Sequence, residues 1–392
     1  MKTDLVKGFK DYLGEEAQKK AEIRKVLVST FERYGFEPAE TPIVEYEEFV
    51  KGENTDDEAV SDIFKLQDKG KRKLALRYEL TFPLKRIMQN QKLPFKRYQI
   101  GPVFRDEPVT TNRFRQFIQC DVDIGGATIK DEAEILAVTN EILTKIGIQP
   151  IILINNRKLM NEILDEAKIK PKDKNQVLRE IDKYDKLPED QIKKNLKKYK
   201  ADKIIDWIKQ GEDFFNKFPS YKEIISLKEY CKLYKIKVLF APTMVRGLSY
   251  YNRTVFEIKA KGIRETITAG GSYMFNKVQF TGISFGLERL AQLVKLKSTK
   301  PKIIIISLNE DKMAIGVAQE LRAKEKKVTI YYGKPSKGLA YANSKNFDQV
   351  IFIGAKEVKQ KKVKVRDLET GKEKLMTIQK VTKKNVIVQR KR

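Results

Sequence analysis

FRDEPVTTNRFRQFIQCDVDIGG, residues 104–126, decides how this chain is to be read. Short apolar runs flank a polar turn, the pattern of two antiparallel strands. On an extended strand Arg105 and Glu107 stand at i and i+2 and share a face. Arg105 has the forked donors that grip a phosphate bidentately. Glu107 suits an exocyclic amine or a metal. On the returning strand Arg113 and Arg115 share one face with Phe117, and Phe114 and Gln116 take the other. An arginine and an aromatic on one face suit a stacked base with its phosphates. Each feature alone is ordinary: an Arg–Glu pair is usually a surface salt bridge, and a basic hairpin usually only a hairpin.

Working outward, the same β character continues upstream through KLALRYEL and FKRYQIGPV, with a helix expected around 81–91. Ile23, Leu27 and Phe31 fall at i, i+4 and i+8, which predicts a helix over 15–34. GFEPAETPIVEYEEF reads as a strand entered through Pro42. A helix is expected over 131–146. From about 150 to 235 the character changes: IILINN reads as a strand, and a Lys-rich helical stretch with the only Trp, at 207, reads as an insertion. The β pattern resumes over 237–289.

That resumed part holds three further segments of interest. In VRGLSYYNRTVFEI (245–258), Arg246 precedes a glycine turn. Tyr250 and Tyr251 point to opposite faces if extended. TITAGGSYMFN (266–276) adds a Gly-Gly approach point and Tyr273. GISFGLERL (282–290) runs from a strand end into a helix starting near Leu287, with Arg289 at the end where anions are favoured. A polar break, KLKSTKP, closes at Pro301. The last 92 residues then alternate strand and helix as βαβαβ, which implies a sheet covered by helices. They carry 23 Lys+Arg against 9 Asp+Glu, about half of the whole chain's net charge of +27. A basic α/β domain behind a larger one fits a polyanion partner, nucleic acid first.

Composition narrows the chemistry. At 392 residues and 41% hydrophobic, the chain has material for two or three domains with real cores. No apolar run approaches membrane-spanning length. Two cysteines make neither a disulfide framework nor a zinc site. The opening MKTDLVKGFKDYLGEE lacks the apolar core of a signal peptide, so a cytoplasmic protein is expected. There is no histidine at all. Ser-His-Asp triads, Cys-His dyads and His-ligated metals are thereby excluded. Chemistry through arginines, carboxylates and a phosphate-borne metal is not. Several arginines, a stacking aromatic, carboxylates and tyrosines from separated β segments suit a nucleoside triphosphate attacked at its α-phosphate.

Read together, these segments resemble the three motifs of class II aminoacyl-tRNA synthetases, and most specifically the histidyl-tRNA synthetase family. LRYELT (76–81), FRDE with RFRQFIQCDVDIGG, VRGLSYYNRTVFE (245–257), AGGSY (269–273) and FGLERL (285–290) follow the family's order. KGFKDYL at 7–13 opens the match. YANSKNFDQVIFIG and KVRDLETG are similar to its anticodon-binding domain. The resemblance implies an α+β fold: an antiparallel sheet flanked by helices, a helical insertion and a C-terminal α/β domain. It implies catalytic-domain parts at 1–150 and 237–298, the insertion at 151–236 and the anticodon-binding domain at 301–392. It implies a cytoplasmic homodimer that takes histidine, ATP with Mg²⁺, and the histidine tRNA, forming histidyl-adenylate before transfer to the tRNA 3′ end.

Carried over by residue, Arg105 would hold the α-phosphate and the amino acid carboxylate, and Arg246 would stabilise the transition state at phosphorus. Glu107 would contact adenine, with Phe117 stacked on it. Arg113 and Arg289 would hold the β- and γ-phosphates. Glu79, Thr81 and Gln119 would take the substrate amino group. Asp123, Tyr250, Tyr251 and Tyr273 would line the imidazole pocket. No metal ligand from His or Cys is implied. Three positions depart from the family pattern: Ser249 and Met274 where it has Asp, and Ser272 where it has Arg. A related regulatory subunit of ATP-phosphoribosyltransferase is the alternative, although such proteins usually lack the C-terminal domain. A class II synthetase of another specificity is less favoured by the two tyrosines and Asp123.

Overall fold

The computed structural model describes residues 3–51, 62–110, 113–245, 250–294 and 301–383. The chain divides into two compact units, Met1–Leu296 and Lys297–Arg392. The first is built on an eight-stranded sheet. Its strands in chain order are β1 (Glu37–Pro38), β2 (Phe95–Phe104), β3 (Gln116–Gly125), β4 (Pro150–Asn156), β5 (Val238–Phe240), β6 (Tyr251–Ala260), β7 (Ile263–Phe275) and β8 (Val278–Gly286). Across the sheet they run β1-β2-β3-β8-β7-β6-β4-β5. Pairing is antiparallel from β2 through β4, and parallel only at the two margins, β1 with β2 and β4 with β5. The sheet is therefore mixed, with an antiparallel centre, in an α+β fold.

Strand alternation explains what the sheet positions. In β3, Cys120, Val122 and Ile124 point to one face and join a large apolar core. Helices α1 (Gly14–Arg33), α2 (Ile129–Lys145) and α3 (Leu287–Leu293) feed that same core. The face that meets the core through Ile23, Leu27 and Phe31 is the one read from their spacing. Gln119, Asp121 and Asp123 take the other face, and all three are nonetheless buried. A period-2 strand whose polar side is also buried is the mark of a built site rather than a solvated surface.

Two stretches differ from the sequence reading at the hairpin itself. β2 ends at Phe104 and β3 begins at Gln116, so Arg105, Glu107, Arg113 and Arg115 lie in the connecting loop rather than on strands. The cause is local. The Asp106 amide turns away to donate to the Asp62 carbonyl, and Pro108 has no amide to offer a ladder. The Arg105 amide still bonds the Arg115 carbonyl at 2.8 Å, which holds the two loop stems together. The strand expected near Pro42 is short, Val44–Tyr46, and joins a separate three-stranded sheet with Lys73–Leu76 and Lys65–Gln67.

Residues 157–233 form a run of helices, including Arg157–Glu166, Pro171–Ile181 and Tyr221–Leu233. Their apolar residues Ile163, Leu178 and Leu227 belong to the same core cluster as the sheet. In the second unit, strands Lys302–Ser307, Lys327–Tyr332 and Gln349–Ile353 are parallel, as the alternation predicts. Helices Asp311–Arg322 and Pro335–Ser344 supply Val317 and Ala342 to two separate apolar clusters, which share alternate residues of the Lys302–Ser307 strand. An antiparallel pair, Lys362–Asp367 and Glu373–Thr377, extends this sheet to five strands. Among the described residues no helix is long and apolar enough to cross a membrane.

Candidate active site

The register across β2, β3 and β8 assembles the buried polar face. Asp123 stands opposite Arg97 on one side and Gly282 on the other; Asp121 stands between Gln99 and Ser284; Gln119 between Gly101 and Gly286. The glycines make room for what crosses them. A Cβ at Gly282 would overlap the Asp123 carboxylate, and one at Gly101 would overlap the Arg77 guanidinium. Arg77, itself buried, donates to the Pro102 carbonyl at 2.7 Å and to the Thr41 carbonyl at 2.9 Å, tying the sheet margin to the 41–43 segment.

Asp123 is the centre of this face. Its Oδ1 accepts from the Tyr273 hydroxyl at 2.9 Å, and its Oδ2 lies 3.0 Å from an Arg97 Nη. Arg97 is fully buried and also donates to the Leu80 carbonyl at 3.1 Å. Burial pushes the Asp123 carboxyl up, and Arg97 and Tyr273 oppose that rise. Burial likewise pushes Asp121 up to about 7, against the pull of Arg97. Glu79 also reaches about 7 through burial, opposed by Arg105 and Lys85. Glu79 Oε1 and Gln119 Oε1 are buried acceptors with no hydrogen-bond donor. Buried acceptors without donors are costly. Two of them beside buried carboxylates call for a ligand that brings N–H groups and positive charge. Thr81, the first residue of the Thr81–Ile87 helix, is buried next to this segment.

An aromatic wall closes one side. Tyr250 and Tyr251 have ring centroids 4.7 Å apart, Tyr250 and Tyr273 5.5 Å, and Tyr273 stacks on Phe280 at 5.3 Å. The two adjacent tyrosines gather in one cluster because Tyr250 precedes β6 instead of alternating along it. Gly271 lies where an added Cβ would come within 2.8 Å of the Tyr251 ring.

Outside the wall lies the arginine-rich loop. The Arg105 guanidinium sits 4.4 Å from the Tyr78 ring centroid and 5.1 Å from that of Phe117, a cation–π arrangement. Glu107 lies 4.0 Å from Arg105 and 3.3 Å from Arg113. Arg115 braces the loop through Asp106 at 3.1 Å and the Glu107 carbonyl at 3.3 Å, and its amide donates to the Gly8 carbonyl at 2.9 Å. Arg289 is half-buried on the first turn of α3. That turn is anchored by Glu288, which accepts from Lys20 and from the Ile118 amide. Arg246 and Ser249 fall outside the described residues.

Ser272 and Met274 do not face the pocket. Ser272 points to the opposite side of β7 and donates to Glu132 of α2 at 2.6 Å, alongside Thr254 at 2.5 Å. Met274, two residues on, is exposed. The sequence reading missed Arg97, Arg77, Tyr78 and Asp121. For Asp121 a signal was present: it stands at i−2 from Asp123, on the face opposite Val122. Arg97 needed the β2–β3 register, which no local pattern reveals. Among the described residues no group of three Cys, Asp or Glu is arranged to hold a metal ion.

Comparison with known proteins agrees with this geometry. Residues 8–290 match the sequence model described as histidyl-tRNA synthetase, and residues 302–387 that of an anticodon-binding domain. The chain is 35% identical to histidine–tRNA ligase 1 of Bacillus cereus, over 94% of this chain and 96% of that protein. It is 34% identical to the histidine–tRNA ligase of Wolinella succinogenes, over 94% of each. The crystal structure of histidyl-tRNA synthetase from Nostoc sp. PCC 7120 superposes with a TM-score of 0.87 at 25% identity, covering 98% of this chain and 99% of that one.

Proposed function

The chain belongs to the histidyl-tRNA synthetase family and has that family's activity, the ATP-dependent attachment of histidine to tRNA; we propose that the buried polar face beside the tyrosine wall is its histidine site and the arginine loop its ATP site. The observation that carries this reading is the set of buried acceptors without donors, Glu79 Oε1 and Gln119 Oε1, next to Asp123. Glu79, Thr81 and Gln119 receive the α-ammonium. Asp123 accepts from the imidazole N–H, with Tyr250, Tyr251 and Tyr273 as walls. A site built to pair such groups rejects an analogue lacking them, because its own buried acceptors would stay unpaired.

Arg105 bridges the histidine carboxylate and the α-phosphate, which brings nucleophile and electrophile together. A carboxylate oxygen attacks phosphorus in line, pyrophosphate leaves, and histidyl-adenylate forms. Arg246 and Arg105 stabilise the charge at phosphorus, while Arg113 and Arg289 hold the departing phosphates. Glu107 and Phe117 receive adenine. Transfer follows when a hydroxyl of the tRNA 3′ end attacks the adenylate carbonyl and AMP leaves. Mg²⁺ fits as an ion held mainly by the phosphates and water, since it rarely needs an all-protein cage; its chemistry there is neutralisation of phosphate charge. The basic second unit takes the tRNA anticodon region. The protein is on this reading a cytoplasmic homodimer, and the exposed Val44, Tyr46 and Leu66 on the three-stranded sheet support the dimer. On this reading Ser272 and Met274 are tolerated, since neither meets substrate.

The test is ATP–pyrophosphate exchange with each of the twenty amino acids. Exchange with histidine alone is expected. No exchange with any of them, in folded protein that binds ATP, would favour a regulatory relative.

A further inference from the structure

We infer that Arg97 is a positioning residue that, paired with Asp123 and bonded to the Leu80 carbonyl, sets the geometry of the histidine site and the charge carried by Asp123. The inference rests on the assignment of Asp123 and Glu79 to histidine. Arg97 is fully buried, and of the buried carboxylates Glu79, Asp121 and Asp123 it is Asp123 that lies at ion-pair distance from it. Arg97 touches both halves of the site: Asp123 Oδ2 at 3.0 Å on β3, and the Leu80 carbonyl at 3.1 Å between Glu79 and Thr81. It therefore fixes how far the imidazole end lies from the ammonium end.

Asp121 explains why that guanidinium does not simply cancel Asp123. A one-to-one buried pair would leave Asp123 a weakened acceptor. With Asp121 two residues along the same face of β3, that face carries more carboxylate than its ion pair with Arg97 balances. The groups facing Asp121 are Arg97, Arg77, Asp123, Glu79, Ser284 and Gln119. Those facing Asp123 are Arg97, Tyr273, Asp121 and Glu79; Glu79 meets Arg105 and Lys85 in addition to Arg97 and Asp123. Removing Arg97 leaves Asp123 without its ion-pair partner beside the like-charged Asp121, and such neighbouring carboxylates favour holding a proton between them.

Three variants test this by pyrophosphate exchange, with KM measured for histidine and ATP between pH 6 and 9. Arg97→Met is expected to raise histidine KM by about 30-fold and ATP KM by less than about 3-fold, with the pH profile for histidine moved upward. Asp121→Asn gives a smaller rise. Arg97→Met combined with Asp121→Asn recovers most of the loss, because the like-charged neighbour of Asp123 leaves together with the cation that balanced it. A role in packing alone would make the double variant as poor as the single or worse, and that result overturns the inference, as does an unchanged histidine KM in Arg97→Met. If Arg97→Met does not fold, the double variant decides: it should fold and bind histidine, and its failure to do so also overturns the inference. Wild-type protein without histidine-dependent exchange would instead overturn the reading of the site.

Discussion

At the scale of single residues, the site depends on atoms that are absent as much as on charges that are present. Gly282 contributes no side chain, and the Asp123 carboxylate occupies that space. Gly282→Ala must push that carboxylate out of the place where the proposed site has it meet the imidazole. An ångström of misplacement costs up to about 100-fold, so a rise of at least about 10-fold in histidine KM is expected, with ATP KM unchanged. Equal KM values would show that Asp123 does not contact histidine. The raised carboxyls make a second prediction. Glu79 and Asp121 titrate near 7 in the fold against 4.5 and 3.8 as free groups. Between those limits the folded chain holds more protons than the unfolded one, so stability falls as pH rises. The buried Asp123 and Glu132 shift in the same direction. Melting temperature without ligand should therefore drop from pH 5 to pH 7.5, and saturating histidine should restore part of it at the higher pH. A melting temperature that rises over this window would contradict the burial of these groups as ionisable carboxyls.

Elements are held by caps and straps that matter to stability more than to chemistry. Asn156 ends β4 and caps the Arg157–Glu166 helix, accepting from the Lys158 and Leu159 amides; its amide also donates to Glu223 at 2.7 Å. Asn156→Ala is expected to cost about 1 kcal/mol, or roughly 2–4 °C in melting temperature. Histidine and ATP KM should not change. A changed KM would mean that this helix reaches the site. The loop after β2 obeys a different logic. Its strand pattern was legible, yet the strands stop short because Pro108 and the Asp62 carbonyl remove the ladder partners. The arginines it carries are thereby freed from alternation and can converge.

For the whole molecule, charge and composition make the remaining predictions. The Lys297–Arg392 unit is strongly basic and the fit to an anticodon-binding domain spans 302–387. tRNA affinity should then fall steeply with salt. With about six phosphates neutralised, a loss of about 10³-fold is expected between 50 and 200 mM. A loss below about 10-fold would argue against phosphate contacts as the source of affinity. The chain also contains no histidine, the amino acid it handles. Its own synthesis should continue when charged histidine tRNA is scarce. Ribosome profiling during histidine starvation should show its output holding while that of histidine-containing proteins falls; a parallel fall would end the idea.

Local chemistry was enough to determine the element types, the βαβαβ order of the basic unit, and the family, since apolar period and motif order are properties of short stretches. FRDE, RFRQF and FGLERL carried their meaning without a fold. Tertiary structure alone decided which polar residues form one site. Arg97 and Asp123 lie 26 positions apart in the chain and meet only through the β2–β3 register. Tyr250 and Tyr251 share a cluster only because a strand begins between them. Ser272 was separated from the pocket only by the side of β7 on which it falls. Burial is a collective property of the packed sheet, and it is burial that turns ordinary Asp and Glu side chains into acceptors waiting for a cation.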